Sequence, residues 1–132
     1  MSTRRQFLAS AALLAGASTI RVVPACAWDF SMDKGIIYDE NQLGMWKGKE
    51  ALHVPLIEVK GLDVVVTTPH PMSEEHYIVR HTIVSETGEV VHAKTFNWKD
   101  LPTSKAVLKA KGKYVATSFC NEHDMWVKTF TV

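Results

Sequence analysis

The sequence predicts an all-β fold, a sandwich of about seven short strands. From residue 51 to residue 132, short runs rich in valine and other β-forming residues alternate with turn residues. The same stretch contains no long segment with the 3.6-residue apolar periodicity of an amphipathic helix. Several short strands joined by turns are typical of two packed antiparallel sheets.

Seven segments carry the strand pattern, and they are predicted at residues 53–59, 62–67, 76–85, 90–98, 105–109, 113–119 and 125–132. The residues 86–89, Glu-Thr-Gly-Glu, have the composition of a hairpin turn between the third and fourth strands. The fifth segment is the least β-like, because alanine and lysine also suit a helix. Residues 28–49 are expected to be irregular, since glycine, aspartate and asparagine interrupt them.

The first 27 residues are predicted to be a targeting segment that lies outside the folded domain, residues 28–132. Arg4 and Arg5 precede an apolar run at residues 9–20, and Ala-Cys-Ala at residues 25–27 provides a cleavage site. This order resembles the twin-arginine export signal, which implies a periplasmic location. The apolar run is shorter than the roughly 20 residues of a membrane span, so an anchor is disfavoured. Lipid attachment at Cys26 is a third, weaker interpretation.

The charge and cysteine content of residues 28–132 restrict the function. Three of the 15 basic residues (Arg4, Arg5, Arg21) and none of the 14 acidic residues lie in the first 27 positions, so the remaining chain has a formal net charge of −2. This charge argues against a nucleic-acid partner. Only Cys120 remains after cleavage, so an internal disulfide is impossible. A free thiol in an oxidising compartment is most economically explained by metal ligation.

Candidate metal ligands lie at predicted strand ends or in connecting loops, where a rigid β-scaffold can direct them together. Cys120 and His123 form a C-x2-H pair between the last two strands, a spacing at which a thiolate and an imidazole can reach one metal. His70 lies between two prolines, in a stiff loop. His76 begins the third predicted strand, and His53 begins the first.

The donor types favour iron or copper over zinc. One thiolate with up to four imidazoles exceeds the tetrahedral complement of zinc, and mixed nitrogen and sulfur ligands suit iron or copper. Five ligands would leave one coordination position open for chemistry. His81 and His92 lie inside strand patterns and are interpreted as ordinary strand residues. Because His81 has strand parity opposite to that of His76, we expect these two side chains to face opposite sides.

Three motifs resemble the superoxide reductase family, which includes the neelaredoxins and desulfoferrodoxins. Residues 68–78, TPHPMSEEHYI, are similar to the family's H-P-M-x-x-x-H-Y-I segment. Residues 119–126, FCNEHDMW, are similar to its C-N-x-H-x-x-W segment, and residues 53–55 to its H-V-P. The resemblance implies an immunoglobulin-like β-sandwich with a mononuclear non-haem iron. It assigns an axial thiolate and four imidazole ligands, namely Cys120, His53, His70, His76 and His123.

The resemblance also implies an enzyme that reduces superoxide to hydrogen peroxide by one electron, while iron cycles between Fe²⁺ and Fe³⁺. A small electron-donor protein, such as a rubredoxin or a cytochrome, would be the partner, and a homo-oligomer is left open. No membrane span is expected in the mature chain. The chain lacks a C-x2-C or C-x3-C motif, so it resembles the one-iron form, without a rubredoxin-like domain.

One departure from the family concerns the residues before His53. The family typically has Glu-Lys at the two preceding positions, where the glutamate takes the sixth iron position and the lysine attracts the anion. Here these positions are Ala51 and Leu52, and the nearest equivalents are Glu50 and Lys49. We retain Lys49 and Glu50 as candidate catalytic residues that reach the site by a different loop path.

Two alternatives remain open at this stage. An electron-transfer cupredoxin is also an exported β-sandwich with a late Cys-His-Met cluster, which Cys120, His123 and Met125 superficially match. That reading leaves His70 and His76 unexplained. The other alternative is an iron-binding module that has lost superoxide turnover together with the Glu-Lys pair.

Overall fold

Eight strands in two sheets form the framework of the structure, a computed structural model that describes residues 35–132. The predicted export signal, residues 1–27, lies outside the described residues. The strands are β1 Ile37–Tyr38, β2 Leu56–Lys60, β3 Asp63–Thr67, β4 Ile78–Ser85, β5 Val90–Thr95, β6 Thr103–Val107, β7 Lys113–Cys120 and β8 Asp124–Thr131. A 3-10 turn, Gly44–Trp46, and a one-turn helix α1, Glu50–His53, lie between β1 and β2. Among residues 35–132, no helix has the length and apolarity needed to cross a membrane.

The two sheets form a sandwich, which confirms the predicted all-β fold class. The five-stranded sheet has the order β1-β8-β7-β4-β5, and the three-stranded sheet has the order β2-β3-β6. Neighbouring strands are antiparallel except for β1, which pairs parallel with β8. The predicted hairpin between β4 and β5 is confirmed, with Gly88 at φ +88° and the Glu89 carbonyl accepting from the Ser85 N–H at 2.8 Å.

The core lies between the sheets because side chains alternate faces along each strand. Its main cluster combines residues from both sheets, namely Val64, Val66, Ile83, Ala106, Leu108, Tyr114 and Ala116. Burying such side chains provides the main driving force for the two sheets to associate, at roughly 25 cal/mol per Å² of apolar surface. The chain therefore folds around apolar side chains that its strand pattern already places on the inner faces.

The inward-facing rows continue beyond the strand ends, and this continuation positions the histidines. Along β3 the buried residues Val64 and Val66 are followed two and four residues later by buried Thr68 and His70. Along β7 the inward row ends at Cys120, which is fully buried. Strand parity therefore delivers His70 and Cys120 to the same end of the sandwich.

Two local predictions were wrong. His53 lies in α1 and not in a strand, and β2 begins three residues later, at Leu56. The register between β4 and β7 shifts between Ile78 and Arg80. Such a bulge reverses side-chain parity along the strand. His81 and Ile78 are consequently both buried. His76 lies before β4 and not at its start, so the strand parity that was expected to oppose it to His81 does not apply.

A buried polar network joins the sheets beneath the histidine-rich end. The His81 ring, which is fully buried, lies with Nε2 2.8 Å from Thr68 Oγ1 and with Nδ1 3.0 Å from Ser104 Oγ. Thr68 Oγ1 is also 2.7 Å from Ser118 Oγ. A neutral imidazole donates from one nitrogen and accepts at the other. Each ring nitrogen of His81 therefore has a hydroxyl partner for its hydrogen bond. The network ties β3 and β6 to β4 and β7.

His81 should make stability depend on pH. Burial lowers the pKa of His81 to about 4, and the charges of Lys94 and His92 act in the same direction. Between the ordinary histidine pKa of about 6.5 and this value, the unfolded chain binds the extra proton. The free energy of unfolding should therefore fall as pH is lowered from 6.5 to 4, by on the order of 3 kcal/mol.

Urea unfolding of metal-free protein between pH 7 and pH 4 measures this effect. The free energy of unfolding should depend less steeply on pH in His81→Gln, which keeps a hydrogen-bonding side chain without a titrating group. His92→Gln, on the neighbouring strand, is the matched control and should keep most of the pH dependence, because His92 is only partly buried. If the free energy of unfolding changed with pH equally in the wild type and in His81→Gln, His81 would not be the source of the pH dependence.

Candidate metal centre

Five potential ligand atoms converge at one end of the sandwich. They belong to four imidazoles and one thiol, and all lie within 4.8 Å of one another; the residues are His53, His70, His76, Cys120 and His123. Two atoms bound to a common ion at about 2.0–2.3 Å can be separated by at most roughly 4.6 Å, so the donor atoms need to shift by only a few tenths of an ångström for all five to reach one metal. All five ligands predicted from the sequence are brought together.

His76 stands at the centre of the short contacts. Its Nε2 lies 3.0 Å from His70 Nε2, 2.9 Å from His123 Nδ1 and 3.1 Å from Cys120 Sγ. Cys120 Sγ is 3.9 Å from His70 Nε2 and 3.7 Å from His123 Nδ1. The β3–β4 connection, the β7–β8 turn and the end of β7 therefore contribute donors to one small volume.

Helix α1 aims His53 into this volume. The Nδ1–H of His53 donates to the Lys49 carbonyl at 2.7 Å, so Nε2 is the nitrogen left to face the centre. That Nε2 is buried and has no hydrogen-bond partner among residues 35–132. A buried nitrogen without a partner is costly in a protein interior. A metal ion bound there would satisfy it, and this is the first sign that the residues fit a metal.

A tight turn carries His76 to the site. The N–H of Ser73 donates to the His76 carbonyl at 2.9 Å, and the His76 N–H donates back to the Ser73 carbonyl at 3.2 Å. The next residue but one, Ile78, begins β4 opposite Cys120. The pairing therefore fixes the distance between the His76 turn and the thiol.

The β7–β8 turn carries the Cys120–His123 pair. Asp124 closes it with φ +64°, a left-handed conformation that aspartate tolerates better than most residues. The His123 N–H donates to Cys120 Sγ at 3.4 Å, and the His123 carbonyl accepts from the Trp126 indole at 2.8 Å. Trp126 is fully buried, with its ring 5.5 Å from that of His53. One indole thus supports two of the five ligands.

Asn121 ties two ligand loops together, a role that its position in the C-N-x-H motif did not reveal. Its side-chain amide donates to the Glu75 carbonyl at 2.9 Å and accepts from the Tyr77 N–H at 2.9 Å. These two residues flank His76. Trp46 was also missed: its ring meets His123 edge-on at 4.6 Å, and its indole N–H donates to Asp124 at 3.0 Å.

Burial disfavours the charged form of four of the five donors. Burial, together with the nearby His53 and His76 rings, lowers the pKa of His70 to about 4. Burial also lowers the pKa of His53 and His123. These three imidazoles are therefore available as lone-pair donors at neutral pH. Burial raises the pKa of the Cys120 thiol, so a metal must displace its proton to form the thiolate ligand.

The two candidate catalytic residues lie in the loop that leads to His53. Lys49 is exposed, and its ammonium adds to the lowering of the pKa of His53 and His123 that burial causes. Glu50 Oε2 accepts a hydrogen bond from the Gly48 N–H at 2.7 Å. Glu50 is absent from the group of donors within 4.8 Å that the described residues form. His81 and His92, interpreted from sequence as ordinary strand residues, are likewise outside it.

The chain is similar to desulfoferrodoxins and superoxide reductases. The family profile described as desulfoferrodoxin matches residues 44–129. A desulfoferrodoxin homolog from Archaeoglobus fulgidus is 34% identical over 83 residues, which cover 61% of this chain and 63% of that relative. The chain thus spans less than two thirds of that relative's length. A superoxide reductase from Pyrococcus abyssi is 32% identical over 110 residues, covering 69% of this chain and 94% of the relative.

A solved structure agrees with these sequence matches. A superoxide reductase (neelaredoxin) from Ignicoccus hospitalis superposes with a TM-score of 0.63 at 25% sequence identity, covering 73% of this chain and 92% of that one. The matched profile spans the strands and loops that carry all five convergent donors. The chain therefore belongs to the desulfoferrodoxin family.

Proposed function

We propose that this protein is a superoxide reductase, which converts superoxide to hydrogen peroxide with one electron and two protons at a mononuclear iron. The observation that carries the proposal is the convergence of His53, His70, His76, His123 and Cys120 within 4.8 Å. Five donors exceed the four that a structural zinc takes. A nitrogen-rich set with one thiolate suits a redox metal. Relatives named superoxide reductase support the substrate.

Iron held by these residues would supply the one-electron Fe²⁺/Fe³⁺ couple. The residues themselves hold the donor atoms in place and exclude water from one side. Cys120 is fully buried beneath the histidines, whereas His76 and His123 are partly exposed. The open side of the donor set therefore faces solvent, from which both a small anion and two protons can arrive. The N–H of His123 at Cys120 Sγ stabilises negative charge on sulfur.

Each reduction of superoxide leaves the iron oxidised, so a further electron has to return it to Fe²⁺. A small one-electron donor protein, such as a rubredoxin or a cytochrome, is the proposed partner. The partly exposed imidazole edges of His76 and His123 provide the shortest access from the surface to the donor set.

The deciding experiment is an optical and kinetic comparison of iron-loaded wild type with Cys120→Ser. We expect about one iron per chain, a sulfur-to-iron charge-transfer band in the oxidised wild type, and formation of that band when the reduced protein reacts with superoxide. Cys120→Ser should lose the band and the turnover, because serine offers no thiolate. His92→Gln is the control and should keep both.

Each outcome has a clear meaning. Full superoxide reduction by Cys120→Ser would contradict the thiolate assignment. An intact iron site and band without turnover in the wild type would show an iron-binding module that is not a reductase. An intense blue copper protein would contradict the proposal altogether.

Lys49 is proposed to attract the substrate anion, and Glu50 to shape its loop. Positive charge near an open site raises the encounter rate with an anion. Lys49→Ala should therefore slow the second-order reaction with superoxide several-fold at low ionic strength, and added salt should shrink the difference. Stopped-flow or pulse-radiolysis rates at two salt concentrations measure this.

Lys60→Ala is the matched control, because Lys60 is exposed at the far end of β2. It should react like the wild type. Equal rates for Lys49→Ala and Lys60→Ala would remove Lys49 from the site. Glu50→Ala tests the second residue: an unchanged ferric spectrum is expected if Glu50 serves only the Gly48 hydrogen bond, and a changed spectrum would indicate that its carboxylate reaches the metal.

Export to the periplasm through the twin-arginine pathway is also proposed. The support is the Arg4-Arg5 pair followed by an apolar run and Ala-Cys-Ala. Expression of the full chain in a bacterial host should give periplasmic protein that begins at residue 28, and Arg4→Lys with Arg5→Lys should retain it in the cytoplasm. Fractionation with N-terminal sequencing checks this. Unchanged export of the double-lysine variant would contradict the pathway.

A further inference from the structure

The two ring nitrogens of His76 have different surroundings. Nε2 faces the other donors, 3.1 Å from Cys120 Sγ. Nδ1 points outward and lies 3.5 Å from Glu122 Oε2, an ion-pair distance. The His76 side chain is 29% exposed and that of Glu122 is 50% exposed. The carboxylate therefore stands between this imidazole and solvent.

The outer partners of the histidines differ in charge. His53 Nδ1 donates to a neutral backbone carbonyl, that of Lys49. His76 instead has a carboxylate on its outer side. Among residues 35–132, Glu122 is the residue whose carboxylate lies at salt-bridge distance from a ring nitrogen of a metal-site histidine. Its negative charge also acts on His123 and Cys120, so it lies on the side of the donor set that these residues share with His76.

The backbone holds this pair in register. Glu122 lies in the turn between β7 and β8, directly after Asn121. The Asn121 side chain donates to the Glu75 carbonyl and accepts from the Tyr77 N–H, each at 2.9 Å, and these residues flank His76. The Asn121 N–H also donates to the Tyr77 carbonyl at 3.2 Å. Glu122 therefore sits opposite His76 because of fixed backbone contacts.

We propose that Glu122 is a positioning residue that holds His76 with its proton on Nδ1 and its Nε2 lone pair toward the metal. A carboxylate behind a ligating imidazole fixes its tautomer and raises its donor strength. The added negative charge also favours the more positive oxidation state of a bound metal. The inference rests on the proposed metal centre, but it does not depend on which substrate that centre reduces.

Cobalt(II) titration of metal-free protein tests the effect on affinity without any turnover. The dissociation constant should rise about tenfold in Glu122→Ala, near the lower end of the range for outer-sphere substitutions, because Glu122 is half exposed. Glu122→Gln keeps an acceptor oxygen and should fall between the wild type and Glu122→Ala. Glu75→Gln removes an exposed charge next to His76 in sequence, and at moderate salt it should match the wild type.

The reduction potential of the iron-loaded protein gives a second readout, which a purely structural role would not move. It should rise in Glu122→Gln and Glu122→Ala and stay unchanged in Glu75→Gln. A double-mutant cycle with His76→Ala isolates the contact: Glu122→Ala should have no further effect on cobalt affinity in that background.

Two results would overturn the inference. One is equal affinity and potential in the wild type and Glu122→Ala. The other is an equal shift in Glu75→Gln, which would show a general charge effect in place of a contact. A protein that binds metal with the expected Glu122 dependence but does not reduce superoxide would contradict the proposed function alone.

Discussion

The arrangement of this protein depends on one constraint: four imidazoles and a thiol must meet within 4.8 Å of one another. Nitrogen lone pairs repel at such distances, and burial deprives them of water, as the unpartnered Nε2 of His53 shows. Side chains do not gather in this way through mutual attraction. The rest of the fold has to hold them there. A bound metal ion would replace the repulsion between the lone pairs with metal–ligand bonds, and its binding would stabilise the folded state.

The sandwich meets this constraint through strand parity and two local irregularities. Inward rows on β3 and β7 end at His70 and Cys120. The bulge in β4 lets Ile78 and His81 both face inward, so the His76 turn and the buried polar network share one strand. Helix α1 then brings His53 in from the open side. Because hydrogen bonds are directional, the His81 network fixes how the sheets lie on each other more sharply than apolar packing alone.

The sequence allowed the fold class, the seven main strands and all five convergent donors to be predicted, because alternation and motif spacing are local signals. It failed where tertiary structure overrides local pattern. Residues 53–59 look like a strand, but His53 is held in a helical turn by its bond to the Lys49 carbonyl. The bulge in β4 could not be predicted, because the amino-acid composition of that strand does not indicate it. Asn121, Trp46 and Glu122 act through partners that are distant in sequence, such as Asp124 for Trp46, and no spacing rule reveals such pairs.

The donors are widely separated along the chain, from residue 53 to residue 123. An ion that binds all of them would act as a cross-link that closes most of the domain into a set of loops. Such closure removes conformational freedom from the unfolded chain, which is the stabilisation that small exported domains usually obtain from disulfides. Within residues 35–132 the lone cysteine is free. The metal centre would therefore stabilise the folded domain as well as carry out its reaction. Loss of the ion would destabilise both sheets at once.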